Sequence, residues 1–134
     1  MNYYNLLLKI LYAIFIGILG AVLLIMFFAG FMTIGTIERI LPFIIGFNAA
    51  LTGYNLISRT KDGLKYKRLW GLISGITLVV GVTLILNIAI NYLTGGYIVY
   101  MTDFLLFAFI GGVFSWLGTI LAIRYLKLEA NNNL

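Results

Sequence analysis

The sequence predicts an all-α integral membrane protein, four transmembrane helices in a compact bundle with both termini cytoplasmic. Three observations carry this. First, only 10% of the 134 residues are charged while 63% are apolar, with a mean hydropathy of +1.09; a soluble domain needs about 25% charged residues to clothe its surface. Second, a bilayer core of about 30 Å takes roughly 20 apolar residues per helix, and four stretches meet that length, at 6–31, 41–58, 69–92 and 103–126. Third, eight of the nine Lys and Arg residues fall on one side of those four spans. The same counts exclude other classes. With no Cys and no His, a disulfide scaffold and a zinc or haem site are not expected, and no cofactor is implied.

The first span, 6–31, is free of charge from Leu11 to Phe31. That run exceeds the 7–15 residues of a signal-peptide core, so it reads as a retained anchor. The second, 41–58, has Pro42 at its start, where a missing N–H costs no helical bond; were the helix to begin at Thr36, Pro42 would instead mark a kink. The third, 69–92, leaves the basic loop with Trp70 and Tyr66 at the interface. The fourth, 103–126, opens on Asp103 and closes on Arg124, charges that suit the two ends of a helix dipole; Glu38 ahead of the second span and Arg59 at its end repeat the pattern. All four belong to one domain, 1–127, followed by a tail, 128–134, without periodicity and expected to be disordered.

Orientation follows from the basic residues. Lys9, Arg59, Lys61, Lys65, Lys67, Arg68, Arg124 and Lys127 share one face and Arg39 alone takes the other, a positive-inside signal that places both termini and the 59–68 loop in the cytoplasm of a cell membrane. Tyr92, Tyr97 and Tyr100 flank the opposite Gly95-Gly96 turn as an interfacial belt. Shifting the chain by 65 residues lays Glu38 on Asp103, Gly46 on Gly111, Gly53 on Gly118 and Arg59 on Arg124. Two repeated hairpins, related by an axis along the membrane normal, are therefore one alternative.

Small residues form stripes. Gly111, Ser115, Gly118 and Ala122 recur on one face of the fourth helix; Gly46 and Gly53 do so in the second, and Gly71 with Gly75 makes a G-x-x-x-G in the third. The stripe admits close helix approach, either inside the bundle or in a homo-oligomer. A candidate polar cluster lies at membrane depth: Asn48, Thr52 and Asn55 on the second helix, Thr83 and Asn87 on the third. These groups read as interhelical glue between the two helices, or as neutral ligands along a polar pathway.

Chemistry is constrained by what is missing. No Asp, Glu, His, Lys or Arg occupies the middle of any span, so proton coupling and voltage sensing are not expected. Without His, Cys or paired acids, no nucleophile has a base, and no enzyme is predicted. The loop residues Arg59, Lys61, Lys65, Lys67 and Arg68 suit anionic lipid headgroups at the cytoplasmic face, an acidic protein partner, or a topology signal alone. The loop is too short and too close to the membrane for nucleic-acid binding.

The stretch Leu41-Pro42-Phe43-Ile44-Ile45-Gly46 through Gly53-Tyr54, then the basic loop and Leu69-Trp70-Gly71-Leu72-Ile73-Ser74-Gly75, resembles small bacterial multi-span membrane proteins of the HdeD-like acid-resistance type and several uncharacterised Gram-positive membrane families. The resemblance covers 41–92, on hydrophobicity and glycine spacing, and the four spans here are fewer than the six of typical HdeD-like members. It implies a bacterial cytoplasmic-membrane protein without catalytic activity and carries over no functional residue. Small multidrug transporters share the size and four helices, but their membrane-embedded Glu in the first helix is absent. The function expected is a non-enzymatic accessory, scaffold or protective, immunity-type component acting through contacts in the membrane, with a protein partner or as a homo-oligomer. The alternative is a small channel or transporter subunit whose pathway forms in an oligomer.

Overall fold

The structure, a computed structural model, describes residues 3–61, 64–95 and 101–126. They form α1 (Tyr3–Ala29), α2 (Ile34–Thr60), α3 (Lys67–Thr94) and α4 (Met101–Tyr125), and no strand occurs among them. Each helix is long and apolar enough to cross a membrane. Large apolar side chains, among them Phe15, Phe43, Phe47, Ile88, Leu105 and Phe109, are exposed around the outside, an arrangement water would not tolerate over such an area. The tail at 128–134 and the turn residues Gly96, Tyr97 and Tyr100 lie outside the described residues.

The helices outrun the apolar spans that announce them, because hydropathy marks the hydrocarbon-soluble part of a helix while capping decides where it begins. The largest difference is in α2, which starts at Ile34 rather than Leu41. Thr33 caps it in extended geometry, its Oγ1 accepting from the Thr36 N–H at 3.3 Å. Pro42 consequently sits inside the helix, where its ring removes the bond to the Glu38 carbonyl. Glu38 is likewise inside the helix, beyond the first turn, rather than ahead of it. At the other ends the dipole pattern holds: Arg59 lies in the last turn of α2, Asp103 in the first and Arg124 in the last of α4. α3 ends on Gly95 at φ 77°, whose N–H closes on the Asn91 carbonyl at 2.8 Å, a left-handed cap that glycine adopts without a Cβ clash.

α4 packs against both α2 and α3, and α1 packs against the same two, while α1 and α4 scarcely meet. One apolar cluster, holding Ile25, Leu41, Ile45, Leu78, Val82 and Phe107, fills one half of the bundle. A second, with Ile10, Ala13, Leu56, Ile57, Leu64, Ala122 and Ile123, fills the half toward the basic residues. α2 and α4 therefore run in one direction, α1 and α3 in the other.

The 65-residue offset can be laid against the helix bounds. Shifted by 65, α1 would span 68–94 and α2 99–125, against Lys67–Thr94 for α3 and Met101–Tyr125 for α4. The α2–α4 contact is also reciprocal under that shift: Gly53 abuts the Ser115 carbonyl and Gly118 abuts the Ala50 carbonyl. The outer helices break the correspondence, since α3 touches α2 where α1 hardly touches α4.

Candidate functional site

The small residues singled out from the sequence converge on α4. A Cβ built on Gly53 would strike the Ser115 carbonyl, one on Gly118 the Ala50 carbonyl, and one on Gly75 the Gly111 carbonyl. Gly71 accommodates the Thr119 hydroxyl, and a Cβ built on Gly46 would come within 3.3 Å of the Phe114 ring. Gly111, Ser115, Gly118 and Ala122 are all buried, so α4 is wedged backbone-to-backbone between α2 and α3. This seam lies within the chain. Ser115, fully buried at the point where the three helices meet, has an Oγ without a hydrogen-bond partner.

The five polar residues do not form one cluster. Asn48 is 7% exposed and its Nδ2 donates to the Ile44 carbonyl at 2.9 Å; Thr52 Oγ1 donates to the Asn48 carbonyl at 2.7 Å. Both belong to α2 and face α1, where Gly20 makes room beside Asn48 Oδ1 and Gly17 beside Thr52 Oγ1. Asn55 is half-buried near the basic end of α2. Asn87 lies near the opposite end of α3, lining an outward groove with Leu84, Ile88, Asn91 and Tyr92. Because α2 and α3 are antiparallel, Asn55 and Asn87 are offset along the bundle axis by about 22 Å at 1.5 Å per residue, so these two amides do not join α2 to α3 as interhelical glue. Thr83 is buried on α3 with its hydroxyl unpartnered.

The same self-bonding recurs at Thr60 to Leu56, Ser74 to Trp70 and Thr119 to Ser115, each hydroxyl donating to the carbonyl four residues earlier. A hydroxyl bonded to its own helix needs no water or neighbouring helix. Asn48, Thr52, Thr60, Ser74 and Thr119 thus hydrogen-bond within their own helices, a distinction residue type alone does not reveal.

At the basic end the structure divides the five loop cations. Lys61 and Lys65 are exposed. Lys67 is only 5% exposed and its Nζ donates to the Leu64 carbonyl at 3.0 Å; Arg68 is half-buried, with Nε enclosed and unpartnered. Arg59 places its guanidinium over the Tyr12 ring, 4.5 Å from the centroid, a cation–π contact that holds α1 to α2. Around that pair runs a groove of about 620 Å³ lined by Leu8, Lys9, Tyr12, Ser58, Arg59 and Lys61. Sequence reasoning had no means to join Lys9 and Tyr12 to the α2 terminus; the only hint was their spacing of three on α1, which puts them on one face.

No family model matches the chain, and no curated protein or solved structure matches it either.

Proposed function

We propose that the chain is a non-enzymatic multi-pass protein of a bacterial cell membrane, with N and C termini in the cytoplasm, acting as an accessory, scaffold or protective component through contacts made within the membrane. The observation that supports this reading best is the closed seam at Ser115. The small residues that could have lined a path or joined a second copy are spent on holding α4 between α2 and α3. Asn48, Thr52 and Thr119 satisfy themselves on carbonyls of their own helices. Contacts with partners then fall to the outer faces, which are apolar. The orientation rests on Lys9, Arg59, Lys61, Lys65 and Arg124 gathering at one end of the bundle while Arg39 lies at the other. A hairpin duplication accounts for the shared helix bounds and the reciprocal α2–α4 contact, and the HdeD-like texture of 41–92 fits a bacterial origin.

One observation favours a second reading. Asn87, Asn91 and Tyr92 place polar groups on an outward groove of α3, where copies of the chain around a symmetry axis would bring them together as a polar lining. Native mass measured from membrane nanodiscs, with ion flux measured in liposomes, separates the two. The accessory role predicts a defined hetero-complex and no flux from the purified chain; a symmetric homo-oligomer that conducts would replace it with the channel reading.

A further inference from the structure

We infer that Lys9, Arg59 and Lys61, gathered from two helices around the groove beside Tyr12, bind the phosphodiester headgroup of an anionic lipid. The inference rests on the helices crossing a membrane and is independent of the accessory role proposed above. The groove joins residues some 50 positions apart in sequence: Lys9 and Tyr12 from α1, Ser58, Arg59 and Lys61 from the end of α2. Arg59 is held in place by the Tyr12 ring, so one face of its guanidinium is occupied while its edge N–H donors stay available for two phosphate oxygens. Lys61 takes φ 46°, an unfavourable region for a residue with a Cβ, and its own N–H caps the Ile57 carbonyl. That turn keeps the lysine at the groove rather than leading the chain away. Three formal positive charges there far outweigh the roughly half negative charge of the α2 C-terminus. Asp62, the next residue, lies outside the described residues.

The shape of the surroundings favours a lipid over a soluble phosphate. Leu8 and Tyr12, both about half exposed, line the groove, and exposed apolar side chains continue along α1 at Leu11 and Phe15. An acyl chain can lie along those side chains while its phosphate sits among the cations and the Ser58 hydroxyl. Lys67 and Arg68, equally basic in sequence, are turned inward or half-buried and contribute no such surface.

The test uses the whole purified protein in detergent, with phosphatidylglycerol, phosphatidylcholine and inorganic phosphate as probes and bound lipid counted by native mass spectrometry. Phosphatidylglycerol should be retained in preference to phosphatidylcholine, K9Q and K61Q should each weaken it about fivefold, and R59Q should weaken it at least as much. K65Q, which removes an equal charge outside the groove, should leave retention unchanged. Lys61 is exposed and Lys9 only half-buried, so these two variants keep the test decisive even if R59Q fails to fold. Equal loss in K65Q and K61Q would overturn the site in favour of diffuse attraction. Equal retention of phosphatidylcholine would reduce it to acyl-chain contact, and displacement by millimolar phosphate would make the ligand a soluble anion. None of these outcomes bears on whether the chain acts as an accessory component, which native mass in nanodiscs and liposome flux decide.

Discussion

Gly53→Ala is the smallest change that tests the α4 wedge, and its cost can be worked from the contact it meets. The added methyl points at the backbone carbonyl of Ser115, so no side-chain rotation relieves it and α2 and α4 must part. Moving packed surfaces apart by 0.5–1 Å forfeits about a quarter to a half of the dispersion energy of each contact across them, and overpacked sites typically lose about 1–3 kcal/mol. Alanine returns up to about 1 kcal/mol through helix propensity, which at full return leaves a net loss of about 0–2 kcal/mol against the parent and the whole of about 1–3 kcal/mol against a glycine whose added methyl meets nothing. Gly35, on the same helix, provides the control: a Cβ there meets nothing within 4 Å, so Gly35→Ala should be neutral or gain about 0.4–1 kcal/mol. Equilibrium unfolding in mixed dodecylmaltoside and dodecyl sulfate micelles, followed by circular dichroism, reads both. Gly118→Ala should resemble Gly53→Ala, and the double variant should fall short of the sum, since either methyl already separates the helices. A Gly53→Ala protein no less stable than the Gly35→Ala protein would refute the wedge.

Three further outcomes follow from the arrangement. Asn55→Leu and Asn87→Leu should each change stability by no more than about 2 kcal/mol, and because the two amides lie near opposite ends of the bundle their effects should add to within about 0.5 kcal/mol; a coupling above about 1 kcal/mol in the same unfolding assay would place them in contact. Single cysteines introduced at Lys65 and at Gly96 should react with an impermeant thiol reagent from the cytoplasmic and external sides respectively. Replacing Arg59, Lys61, Lys65, Lys67 and Arg68 together by Gln should give mixed orientations, and a uniform orientation would show that these five do not set it.

Much of the architecture is legible in the sequence because it depends on local quantities. Four apolar runs of the right length forecast α1 to α4, and the glycine stripe of α4 marks the helix that others approach most closely. The start of α2 was harder to read: Ile34 to Ile40 interleaves Gly, Thr, Glu and Arg with isoleucines, so hydropathy rises only at Leu41, while the cap that begins the helix is a single hydroxyl at Thr33. The polar cluster failed for a different reason. Residues on antiparallel helices meet only at matching depth, and Asn55, near the end of α2, has its counterpart depth near the start of α3, far from Asn87. Lys67 and Arg59 are equally basic on paper. The fold turns the first onto the Leu64 carbonyl and the second onto the Tyr12 ring, because Lys67 opens α3 on its buried face and Arg59 closes α2 beside α1.

α2, α3 and α4 close on one another around Ser115, which is fully buried. The chain has no native cysteine, so Ser115→Cys introduces a single thiol at that point with little change in volume. In liposomes, with a variant that melts as the parent does, this thiol should resist a charged methanethiosulfonate reagent until dodecyl sulfate unfolds the protein, while a cysteine at Lys65 reacts at once. Modification of Ser115→Cys in the folded protein at a rate within about tenfold of the Lys65→Cys control would contradict the closed bundle and point to a water-filled pathway.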